Sequence, residues 1–244
     1  MNWIVCPTDN LLTYLKPAVA SFRAQDIGEV AVWVIDRGST DGTLEWLNSL
    51  SWDVQDGVKL GPWVSHWPDM LSLAATWNRA LSQLFNRGEE HVLVANNDIE
   101  LHFDAYRKLL ADPAGFVTCV GVGADQWVKN SKENINPNRR PHPDFSCFLI
   151  RRWVWEKVGP FDENYKIAFF EDNDYHCRMR QAGIEAMCLD IPFLHHASMT
   201  IKTAPRWRQN EISRQAEANR EYFYKKWGFR IGSPEYEEFF QTRA

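Results

Sequence analysis

The 244 residues carry 45% hydrophobic and 24% charged side chains and a formal net charge of -5. That fits one α/β domain with or without a small appendage, and excludes a disordered chain or a protein built to coat nucleic acid over its whole surface. The five cysteines (Cys6, Cys119, Cys147, Cys177, Cys188) are odd in number and form no CxxC pair, so they read as thiols of a reducing compartment and a cytoplasmic location is expected. No apolar run approaches about 18 residues, and the N-terminus shows no basic region followed by a long apolar one, so neither a membrane span nor a signal peptide is expected.

Taken in order, Trp3 to Cys6 predicts a first strand, closed by the loop chemistry of Pro7-Thr8-Asp9-Asn10. Leu11 to Phe22 has helical spacing, with Pro17 as a possible interruption. Val30 to Ile35 is a near-continuous apolar run, hence a central strand, followed by Asp36 to Thr43 and a helix over Leu44 to Leu50. Trp52 to Trp67 reads as irregular. Met70 to Phe85 is a helix on the spacing of Leu73, Trp77, Leu81 and Leu84. His91 to Ala95 is a strand that stops at Asn96-Asn97-Asp98; a short helix over Phe103 to Leu110 and a strand over Phe116 to Val122 follow. The βαβαβ rhythm predicts a largely parallel sheet with helices on both faces.

Gly123 to Asp144, polar and rich in Asn and Pro, reads as a long mobile loop of functional type. Phe145 to Ile150 returns to the sheet, and Arg151 to Val158 is a short helix. Glu171-Asp172-Asn173-Asp174 opens a helix that runs to Gln181 before Gly183. Ala186 to Leu194 is a last strand, ending in His195-His196, and Trp207 to Trp227 is a final amphipathic helix. From position 202 to 230, eight cations outnumber Glu211, Glu217 and Glu221.

Four polar clusters thus sit at element ends: Asp36 to Thr43, Asn96 to Asp98, Glu171 to Asp174, and His195-His196. Each alone is an ordinary turn, cap or strand-end group. Together they converge on one rim of an α/β sheet, where ligands bind. Asp98 and a histidine are hard-cation ligands. Helix N-termini and a cation suit a diphosphate, and Asp172 is placed to take a proton from a hydroxyl.

The ordered set VWVIDRGSTDGT (Val32 to Thr43), LAATWNRAL with Asn78, VANNDIEL (Val94 to Leu101), VGPFDENY (Val158 to Tyr165), FFEDNDYHCRMRQAG (Phe169 to Gly183) and LHHAS (Leu194 to Ser198) resembles family 2 glycosyltransferases. These are nucleotide-diphospho-sugar transferases of the GT-A fold, and the likeness is greatest to small bacterial rhamnosyltransferase-like members. The resemblance implies a Rossmann-like, mixed, mostly parallel sheet flanked by helices over 1–200, with a helical extension over 201–244 packed on it.

It also implies an inverting, metal-dependent sugar transfer. Thr8, Asp36, Asn78, Asn96 and Asn97 would hold a UDP-, dTDP- or GDP-linked sugar. Asp98 with His195 or His196 would hold Mn²⁺ or Mg²⁺; adjacent strand residues face opposite ways, so only one histidine should serve. Asp172 would be the base, with Glu171 and Asp174 shaping its position and pKa. Lys202 and Arg206 are expected on the diphosphate. The acceptor stays open between a saccharide and a modified nucleobase in DNA. The alternatives are a nucleotidyltransferase, which usually shows a Gly-rich basic loop where Pro7 to Asn10 stands, and a non-catalytic nucleotide-sugar binder, which the Glu171-Asp172 pair opposes.

Overall fold

The structure is a computed structural model and describes residues 1–50, 54–55, 58–59, 62–70, 72–130, 139–140, 143–196 and 199–241. Its strands are β1 (Asn2–Thr8), β2 (Val30–Asp36), β3 (Val54–Gln55), β4 (Val58–Lys59), β5 (Trp63–His66), β6 (His91–Ala95), β7 (Ile99–Leu101), β8 (Phe116–Val122), β9 (Arg139–Arg140), β10 (Cys147–Arg151) and β11 (Ala186–His195). Its helices are α1 (Leu12–Arg23), α2 (Thr43–Ser49), α3 (Leu73–Asn86), α4 (Ala105–Ala111), α5 (Ala124–Asn130), α6 (Arg152–Val158), α7 (Glu171–Gln181), α8 (Met199–Thr203), α9 (Arg206–Trp227) and α10 (Pro234–Gln241).

The main sheet runs β5-β2-β1-β6-β10-β8-β11-β7, with β9 pairing β11 off this path. The half made of β5, β2, β1 and β6 is parallel. β10 lies antiparallel to both β6 and β8, β8 and β11 are parallel, and β7 returns antiparallel along β11. The sheet is therefore mixed.

Period-two alternation sorts the strand residues into two cores. Ile4, Cys6, Val32, Val34, Leu93 and Ala95 pack with α1 and α4. Trp3, Val5, Ala31, Trp33, Val92 and Val94 pack with α3, α6 and α7. That is why the central strands read as unbroken apolar runs: both faces are covered. A third cluster joins Tyr165 and Cys177 to Phe223 of α9 and Tyr236 of α10, so the last two helices rest on α7 and the loop before it.

Several elements differ from expectation. α1 runs on through Pro17. α3 begins at Leu73 because the Ser72 hydroxyl caps it, accepting from Ala75 N at 3.1 Å. The reading of Gly123 to Asp144 as loop throughout does not hold: α5 occupies Ala124–Asn130 and β9 pairs with β11. The Trp127 ring of α5 meets His102 edge-on at 6.4 Å, an anchor hidden by the polar sequence that follows. Residues 131–138 and 141–142 of that segment lie outside the described residues. β7 is too short to show as a period. α10 starts at Pro234, a residue suited to a first helical position. Among the described residues no helix is long and apolar enough to cross a membrane.

Candidate active site

The parallel strands β1, β2 and β6 all end on one rim. β1 is followed in space by β2 on one side and β6 on the other, which makes the gap between β1 and β6 the switch point where a crevice forms. A cavity of about 900 Å³ opens there, lined by the Thr8 to Tyr14 loop, Arg37, Asn96, Asn97, Asp98, Asp144, the Ile167 to Phe169 segment, Glu171, Asp172, His195 and Arg208. Asn97 closes the floor, its Nδ2 donating to Thr8 Oγ1 at 2.8 Å and to Asn10 O at 3.2 Å.

Asp98 is 5% exposed. Its Oδ1 stands 3.6 Å from His195 Nε2, beyond hydrogen-bond length, and its Oδ2 accepts a long bond of 3.4 Å from Met199 N. β7 pairing with β11, His195 opposite Ile99, brings the two together. Gly121 of β8 allows the close packing beneath them: a Cβ there would lie 3.3 Å from His195 Nδ1 and 3.1 Å from Asp144 Oδ2. A carboxylate and an imidazole that line one cavity, neither saturated by partners among the described residues, suit a divalent cation that takes its other ligands from phosphate and water. Among the described residues no group of three or more His, Cys, Asp or Glu could hold a metal.

Across the cavity, α7 begins with Glu171 and Asp172. Glu171 is 4% exposed and its Oε2 has no hydrogen-bond partner among the described residues. Burial, then the charge of Asp172, pushes its carboxyl well above the usual range, partly opposed by Arg37. Asp172 is half-buried and its Oδ1 accepts from Asn173 N at 2.8 Å. Burial raises its pKa and the nearby Asp144 raises it further, while backbone N–H groups oppose the rise. A carboxylate with a raised pKa is a better proton acceptor than an ordinary one.

Strain gathers here too. Asn10 (φ 62°), Leu11 (φ 71°), Ile167 (φ 61°) and Phe169 (φ 80°) all have left-handed backbones and all line the cavity. Such conformations cost energy in non-glycine residues and mark functional segments.

Six of the residues singled out from sequence lie elsewhere. Asp36 is fully buried; its carboxylate accepts from Gly38 N at 3.2 Å and Ser39 N at 3.1 Å and meets His66 Nδ1 at 2.6 Å. It shapes the turn after β2 and is not part of the cavity wall. Asn78 donates to Phe161 O at 2.9 Å and Glu163 Oε1 at 2.8 Å and accepts from Phe161 N at 2.7 Å, tying α3 to the loop before α7. Asp174, three residues on from Glu171, lies outside the cavity wall and accepts from Trp227 Nε1 at 2.9 Å and Lys226 Nζ at 2.7 Å; it anchors α9. His196 points to the other side of β11, 3.5 Å from Glu100 Oε1 and against the Tyr14 ring. Lys202 and Arg206 are exposed and outside the cavity wall.

The tail cation on the wall is Arg208, 3.8 Å from Asp9 Oδ2 and 2.6 Å from Glu211 Oε2. It lies near enough to Arg37 to help lower that guanidinium's pKa, burial being the larger cause. Sequence reasoning missed Arg208 as a wall residue, Asp144 and Asn10. Asp144 accepts from Ser146 N at 2.9 Å and Gly121 N at 3.3 Å, and its place at the end of a polar segment was the available signal.

The chain and its fold have counterparts among known proteins. The chain is 27% identical, over 231 residues covering 75% of it and 72% of the relative, to N-acetylglucosaminyl-diphospho-decaprenol L-rhamnosyltransferase of Mycobacterium tuberculosis. Among solved structures, S. aureus TarS 1-349 superposes with a TM-score of 0.59 at 17% identity, over 98% of this chain and 77% of that one. The mannosyltransferase PcManGT from Pyrobaculum calidifontis, in complex with GDP-Man and Mn²⁺, gives 0.59 at 18%, over 98% and 67%. GalNAc-T7 with UDP, GalNAc and Mn²⁺ gives 0.61 at 15%, over 98% and 53%. At such identities these structures speak for the fold alone, the GT-A fold. Residues 3–181, which contain the Asn96 to Asp98 strand end and the Glu171-Asp172 helix start, match the model of Glycosyl transferase family 2. The chain belongs to that family.

Proposed function

We propose that the chain transfers a sugar from a nucleoside diphosphate to an acceptor hydroxyl, with inversion at the anomeric carbon and with the help of a divalent cation. The observation that carries the reading is that Asp98 and His195, 3.6 Å apart, line the same cavity as Asp172, Arg37 and Arg208. Asp172 takes the proton of the acceptor hydroxyl as its oxygen bonds to the anomeric carbon, and the bond from that carbon to the diphosphate breaks. The attack comes from the face opposite the leaving group, which inverts the centre. Asp98 and His195 would hold Mn²⁺ or Mg²⁺, which when bound neutralises charge on the departing diphosphate. Arg37 and Arg208 add fixed positive charge there, and Thr8, Asn96 and Asn97 form the floor under the nucleotide.

The structural neighbours in complex with Mn²⁺ and with UDP or GDP-Man support a cation and a UDP- or GDP-linked donor. For the acceptor we infer a saccharide hydroxyl. Phe169 and Trp207 line the cavity yet remain 39% and 68% exposed, and flat apolar rings at a wet rim suit the apolar face of a pyranose. The relative's polyprenol-linked acceptor points the same way, and DNA fits less well with a net charge of -5. A cytoplasmic location accords with cysteines that are buried in the cores. The test is a donor screen: purified protein, Mn²⁺ and a panel of UDP-, GDP- and dTDP-sugars, read by mass spectrometry for release of the nucleoside diphosphate. Release from one donor class is expected; release from none overturns the reading.

A further inference from the structure

The segment that delivers Asp172 to the cavity is strained. Ile167, Phe169 and Phe170 have φ of 61°, 80° and 74°, unfavourable for bulky side chains, so surrounding structure must hold them. On one side Ser72 and Ile167 form a parallel bridge, in which Leu73 N donates to Ile167 O at 2.8 Å. On the other stands a polar side chain, Asn219 of α9, which is 1% exposed. Its Nδ2 donates to Lys166 O at 2.9 Å, Ala168 O at 3.0 Å and Phe169 O at 3.1 Å, and its Oδ1 accepts from Lys166 N at 3.2 Å. Phe223, one helical turn on, meets the Phe170 ring at 5.8 Å. Phe170 O in turn accepts from Asp174 N at 2.9 Å in the first turn of α7.

Asn219 lies outside the residues that match the family. We propose that Asn219 is a positioning residue for the Glu171-Asp172 pair, so that helix α9 belongs to the catalytic apparatus as well as to the packing. This rests on the reading of Asp172 as the base. The chain of contacts is short: the amide fixes the carbonyl directions of Lys166, Ala168 and Phe169, those directions fix the entry into α7, and the entry fixes where Asp172 stands. The same hold leaves the Phe169 ring on the cavity wall.

Asn219→Asp tests it, because it keeps shape and the acceptor for Lys166 N but removes both N–H donors. Thermal unfolding first confirms that the variant is folded. Amide hydrogen exchange over 167–172 should then quicken by about tenfold or more while that of β1 and β2 is unchanged. With the donor found in the screen, kcat should fall by roughly 10²-fold and donor KM stay within about threefold. Unchanged exchange over 167–172, a kcat within about twofold of wild type, or a change in KM alone would overturn the proposal. Should the variant not fold, the wild-type Lys166 amide decides: slow exchange like that of the α9 interior supports the clamp, and fast exchange overturns it. A wild type that turns over no donor overturns the functional reading of the site and the catalytic meaning of the clamp, while the exchange result still decides whether Asn219 holds the segment.

Discussion

His195 Nε2 stands 3.6 Å from Asp98 Oδ1, while its neighbour His196 faces Glu100 on the other side of the strand. Ligand atoms that share an ion at about 2.1 Å lie roughly 3–4 Å apart, so the first pair has the span of two cation ligands. His195→Ala should raise the Mn²⁺ concentration needed for half-maximal transfer by about tenfold or more, and His196→Ala by less than about threefold. A Mn²⁺ titration of activity checks this, and equal effects of the two would remove the assignment.

Asp172→Asn keeps size and loses basicity. Turnover should drop by ~10² or more while the nucleotide still binds by calorimetry. The acid limb of the pH–rate profile should lie above the ordinary Asp range, since burial and Asp144 both raise this pKa. Asp144→Asn removes a like charge, so that limb should move to lower pH. Movement to higher pH would contradict the electrostatic account.

Arg208→Ala should weaken nucleoside diphosphate binding by about tenfold and leave the free nucleoside nearly unaffected, because a charge-assisted contact is lost only with the phosphates. The Lys202→Ala, Arg206→Ala pair should change diphosphate binding less, both side chains being exposed beyond the wall. Calorimetry with both ligands ranks the three cations.

Asn78→Ala strands the Phe161 N–H and carbonyl in a buried place. It should cost about 1–3 kcal/mol of stability, seen as a lower Tm, with nucleotide affinity per folded molecule unchanged. A selective loss of nucleotide binding at full stability would return Asn78 to the donor site.

The central strands, most helices and the polar clusters at their ends were legible in the sequence because each is a local pattern. Val30 to Ile35 is apolar throughout since both faces of β2 are covered, and Glu171 opens a helix because acidic residues favour a helix start. Direction within an element was not legible. Whether Asp174 joins Asp172 at the cavity or turns to Lys226 and Trp227 depends on where α9 packs. The choice between His195 and His196 depends on the register of β11 with β7. Asn78 carries no mark that separates a brace from a ligand, and Asn219 gives no local sign that it meets a loop about 50 residues earlier. Sequence by itself determined the residue types and the strand ends that carry them. Only the tertiary structure decided which of them share one cavity, because long-range pairing and helix docking, not local spacing, bring Asp98 to His195 and Asn219 to Phe169.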